Sequence, residues 1–168
     1  MRPNSAAKAI LIGGGIAGIC DITYAIVFSW AMRGTSPVRL LQSVASGLLG
    51  KSAFDGGWLT AALGLCLHFF IALSAAVIFY LASWVFPVLA RQAFLAGAVY
   101  GLAIYAVMNL VMLPLSAFPF PVKFAPLATI TGVLVHILLV GVPIALAIRR
   151  WDPVAPRSTS GYAISPGT

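Results

Sequence analysis

WLTAALGLCLHFFIALSAAVIFYLASWVF, residues Trp58–Phe86, decides the fold class. It contains no Lys, Arg, Asp or Glu. A helix needs about 20 residues at a rise of 1.5 Å to cross the hydrocarbon core of a bilayer, and this run exceeds that. Three further runs share its character, at about 9–32, 93–113 and 127–148. They are continuous rather than alternating, which selects helices over the strands of a barrel.

Composition agrees. Of 168 residues, 61% are hydrophobic and 8% charged, and the mean hydropathy is +1.05. Soluble domains carry about 25% charged residues, and so few charges could not cover a water-exposed surface. The expectation is a single all-α domain over residues 1–151, a polytopic four-helix membrane bundle. The net charge of +7 does not point to nucleic acid, because the cations sit at span ends as topology signals and lipid-headgroup partners. Cys20 and Cys66 fall inside spans and read as free packing thiols.

The connections refine this picture. A basic N-terminus followed by an apolar run resembles a secretory signal, but the run is too long and contains Asp21. Between the first two spans, Ser36 and Pro37 read as an N-cap and first helical residue. Leu40, Leu41, Val44 and Leu48 then recur at helical spacing against Arg39, Gln42, Ser43 and Ser46, which predicts an amphipathic helix over about 37–49 lying on the membrane surface. Gly50-Lys51-Ser52 imitates the end of a phosphate loop, but Ala45 stands where the leading glycine belongs and no strand precedes it. Residues 114–126 hold four prolines and predict an extended segment. Arg149, Arg150 and Trp151 close the last span as an interfacial anchor, and residues 152–168 read as a disordered tail.

Orientation follows from the basic residues. Arg2, Lys8, Arg91, Arg149, Arg150 and Arg157 lie on the side of the termini, and Arg33, Arg39, Lys51 and Lys123 on the other. Six against four places both termini in the cytoplasm. A faint repeat pairs Thr60, Gly64 and His68 with Ala128, Gly132 and His136, as two parallel helical hairpins would.

Each span carries one conspicuous polar residue: Asp21, His68, Asn109 and His136. An acidic residue near a helix centre in a bilayer costs at least about 2.5–3.5 kcal/mol, so such groups face the bundle interior or a water cavity. Small residues share their faces. Gly14, Ala17 and Gly18 precede Asp21, Gly64 and Ala72 flank His68, Gly132 precedes His136, and Gly97, Gly101, Tyr105 and Asn109 follow at intervals of four. The polar groups are therefore expected to converge, with Asp21 paired to a histidine and Tyr24 and Tyr105 alongside.

Three functions compete. The first is proton-coupled or small-solute handling by Asp21, His68, Asn109 and His136. The second is b-type haem binding with His68 and His136 as axial ligands. The third is a structural or partner-binding role, in which Asn109 and the histidines are bridges between helices. No Ser-His-Asp, Cys-x-x-Cys or H-E-x-x-H pattern supports an enzyme, and three ligands without further carboxylate or thiolate make a thin metal site. One four-helix chain leaves little room for a substrate path, so a homodimer is expected.

SVASGLLG from Ser43, AFDGG from Ala53, TAALGLCLHF from Thr60, MNLVMLPLS from Met108 and HILLVGVPIALA from His136 also resemble the YagU-like group of small bacterial inner-membrane proteins. The resemblance implies a four-helix inner-membrane protein and no particular activity.

Overall fold

The structure, a computed structural model, describes residues 3–151; the C-terminal tail expected to be disordered lies outside them. Four helices are long and apolar enough to cross a membrane: Ser5–Arg33, Gly57–Val85, Ala93–Leu115 and Pro126–Trp151. They hold 29, 29, 23 and 26 residues, each enough for a hydrocarbon core about 30 Å thick. Their outward faces carry large apolar side chains, Phe70, Phe94, Leu110 and Ile130 among them. This is an all-α, multi-pass membrane architecture. We number these helices spans one to four.

Span one is the hub. It packs against spans two and four, and span four packs in turn against span three. Glycines set the close approaches. Gly14 meets the backbone of Ala72 and Leu73 in span two, while its neighbour Gly13 meets Ile144 and Ala147 in span four. Gly97 and Gly101 face Gly141 across the span three–span four crossing, so closely that a Cβ on Gly101 would run into the His136 carbonyl. Close backbone approach at small residues is what drives helices together in lipid, where burying apolar surface gains nothing. Spans two and three meet at Tyr100, whose hydroxyl donates to the Ala75 carbonyl at 2.8 Å and whose ring lies 5.0 Å from that of Phe79.

The buried apolar core occupies one half of the bundle. It comprises Ala9 and Ala17, Ala76, Phe79 and Tyr80, Ala93, and Val140, Ile144, Ala145 and Ile148. In every span these residues lie between the conspicuous polar residue and the end nearer the chain termini. Asp21, His68, Asn109 and His136 are all half-buried and sit where that cluster ends.

The helix between spans one and two covers Pro37–Leu49. Ser36 caps it by accepting from the Arg39 amide at 3.2 Å, with Pro37 at its first position. Its inward face is small and polar rather than leucine-rich: Gln42, Ala45 and Ser46 are buried. Gln42 donates to the Gly57 carbonyl at 3.0 Å, and the Leu41 carbonyl rests on Gly64 of span two. In apolar surroundings a polar side chain turns toward protein partners, which leaves Leu48 and Leu49 exposed. Gly34 and Gly50 flank this helix with φ of 63° and 62°, a left-handed backbone that glycine adopts without strain.

One expectation fails at the end of span three. Pro114 was placed in an extended segment, but the helix continues through it to Leu115. A π-helical turn, Met108–Met112, precedes it. The wider turn re-registers the hydrogen bonds, so the Leu113 amide donates to Met108 five residues back, next to the proline that lacks a donor of its own. Span four repeats the device. Its π-turn is His136–Gly141, the Val142 amide donates to Ile137, and Pro143 follows.

Candidate functional site: an aspartate–histidine pair in the membrane half

Span one presents Gly18, Asp21 and Tyr24 at intervals of three, which rotates successive positions around the helix from span two toward span four. Each makes a polar link across the bundle. At Gly18, the backbone carbonyl accepts from His68 Nε2 at 2.9 Å. Gly18 is a glycine because the Phe69 ring occupies the place of its Cβ, 2.8 Å away. At Asp21, the carboxylate Oδ1 lies 3.9 Å from His136 Nδ1. At Tyr24, the hydroxyl donates to Thr131 Oγ1 at 2.6 Å, and Thr131 passes its own proton to the Leu127 carbonyl at 2.7 Å.

The hydrogen bonds assign the tautomers. His68 Nε2 bears a proton, since its partner is a carbonyl. His136 Nδ1 also bears one, because it donates to the Gly132 carbonyl at 2.9 Å. Asp21 therefore stands beside the imidazole rather than serving as its hydrogen-bond acceptor, 3.9 Å being too long for that role. Nε2 is then the unprotonated nitrogen of the neutral ring. The side chains of His136 and Asp21 keep 17% and 24% of their exposure, so the pair is reachable from outside the protein core.

Tyr105 completes the surroundings. Its ring stands edge-on to His136, with centroids 5.3 Å apart, and lies over Gly132, where a Cβ would meet it at 3.0 Å. Tyr24–Thr131 bonds one turn farther from the buried apolar cluster.

The expected cluster thus separates into parts. Asp21, His136 and Tyr105 come together, with Tyr24 one turn toward the loops on Thr131. His68 is held one turn away on Gly18, and Asn109 donates to the Tyr105 carbonyl of its own helix at 2.9 Å. The paired triplets Thr60/Gly64/His68 and Ala128/Gly132/His136 occupy unlike surroundings, since Gly64 meets the connecting helix and Gly132 meets an aromatic ring. Haem ligation through His68 Nε2 would require that nitrogen to release the Gly18 carbonyl. Among the described residues, no three His, Cys, Asp or Glu side chains gather as a metal site, and both cysteines are free. Thr131 is the site residue that sequence reading missed. Threonine is unremarkable in an apolar helix, and only its pairing with Tyr24 marks it.

Comparison with protein-family models, with curated proteins and with solved structures finds no match.

Proposed function

We propose that this chain is a bacterial inner-membrane protein, with both termini in the cytoplasm, that handles protons or a small solute coupled to them at Asp21 and His136. The observation that carries the reading is the 3.9 Å approach of the Asp21 carboxylate to the His136 imidazole at the edge of the buried apolar cluster. Ionisable groups inside a membrane are costly, and such pairs mark ion and proton pathways. The chemistry is that of a proton acceptor beside a counter-charge. His136 Nε2 takes the proton, Gly132 fixes the ring through Nδ1, and Asp21 balances the imidazolium. Phe79, Ile144 and Ile148 pack on the terminus side of the pair. The six-to-four distribution of basic residues supports the orientation.

The test is proton movement into vesicles. Purified protein is reconstituted with an entrapped pH-sensitive dye and a pH gradient is imposed. The wild type dissipates the gradient faster than protein-free vesicles, Asp21→Asn and His136→Ala return it to the protein-free rate, and His68→Ala retains most of it. Equal rates in all four proteins, each shown to be folded and inserted, would leave the pair a structural bridge.

A further inference from the structure

The basic residues at the terminus end are gathered by packing as well as by sequence. Lys8 Nζ of span one lies 5.7 Å from the centre of the Trp151 ring, and the Arg150 guanidinium lies 5.9 Å from it. Arg149 and Arg91 are exposed, and the short helix Val88–Arg91 packs against the last part of span four. The acidic residues among those described are Asp21, inside span one, and Asp55, in the connection at the opposite end of the bundle.

We propose that Lys8, Arg150 and Trp151 form a binding site for a phospholipid whose headgroup carries two phosphates. A cation, an aromatic ring and a second cation at the level where spans one and four leave the bilayer match an anionic headgroup. What lies beneath them identifies a lipid rather than a free phosphate. Leu11 is one turn deeper than Lys8 on the same face and 60% exposed, and Leu146 is one turn deeper than Arg150 and 44% exposed. Acyl chains descending from the headgroup meet these leucines. Two phosphates on one headgroup answer two cations that come from different helices.

Native mass spectrometry of the full chain released from detergent tests this, using diphosphatidylglycerol, phosphatidylglycerol and phosphatidylcholine as probes. The expected result is one retained diphosphatidylglycerol per chain, with weaker phosphatidylglycerol and no retained phosphatidylcholine. Lys8→Gln with Arg150→Gln weakens diphosphatidylglycerol binding by about tenfold or more, while Arg39→Gln with Lys51→Gln at the opposite end leaves it unchanged. Circular dichroism of both double variants confirms that they fold. Equal loss in the two variants, competition by inorganic phosphate, or equal retention of all three lipids would overturn the proposal.

Discussion

Gly15 and Gly101 look alike in the sequence, each a glycine inside an apolar helix, and they differ in space. Nothing lies within 4 Å of a Cβ built on Gly15, whereas one on Gly101 would strike the His136 carbonyl. Gly15→Ala is therefore expected to raise stability by about 0.4–1 kcal/mol, and Gly101→Ala to cost about 1–3 kcal/mol by overpacking the crossing. Thermal unfolding in detergent checks both. His68 makes a third case. Losing its bond to Gly18 should cost about 0.6 kcal/mol, the average for hydrogen bonds between membrane helices, and at most about 1.7 kcal/mol, and His68→Ala unfolding measured in the same way tests it. At this scale the sequence revealed which side chains are costly in lipid, because charge and hydropathy are local properties. It could not show that Asp21 selects His136 over His68. That choice depends on the rotation of span one, which turns Gly18 toward span two and Asp21 toward span four.

The helices themselves were legible. A run of apolar residues specifies a span almost regardless of its neighbours, so the ends expected for span two agree with Gly57–Val85 to within a residue. Ser36 and Pro37 located the start of the connecting helix, because capping is a local hydrogen-bond requirement. The π-turns were not legible. They leave hydropathy unchanged, and Pro114 read as a stop signal although a wide turn before it lets the helix go on. Both turns lie beside the site, Met108–Met112 including Asn109 and His136–Gly141 beginning at the paired histidine. π-turns inside α-helices recur at functional sites. Their hydrogen bonds are re-registered and weaker, so the amides of these two segments should exchange with deuterium faster than those of Ala93–Val107 in lipid nanodiscs. Pro143→Ala restores the missing donor and should slow exchange across residues 136–141. Uniform exchange along spans three and four would contradict this account of the two prolines.

For the whole molecule, four antiparallel spans put the two ends of the chain together, as the approach of Lys8 to Trp151 requires. Reporter fusions at residue 1 and residue 168 should report the same compartment, the cytoplasm under the charge asymmetry. The packing is uneven along the bundle: the main buried apolar cluster fills the terminus end, and Asp21 and His136 sit half-buried at its edge. That asymmetry could not be read from the sequence, since core and polar residues alternate along the chain and separate only after the helices fold back on one another.

A double-mutant cycle tests the central claim, that Asp21 and His136 act as one unit, most directly. Asp21→Asn, His136→Gln and the double variant are compared by unfolding in nanodiscs, with Asp21 and His68 as the control pair. The predicted interaction energy is about 0.5–3 kcal/mol for Asp21 with His136, against less than about 0.5 kcal/mol for Asp21 with His68. Additive losses for Asp21 and His136, or a larger coupling to His68, would contradict it.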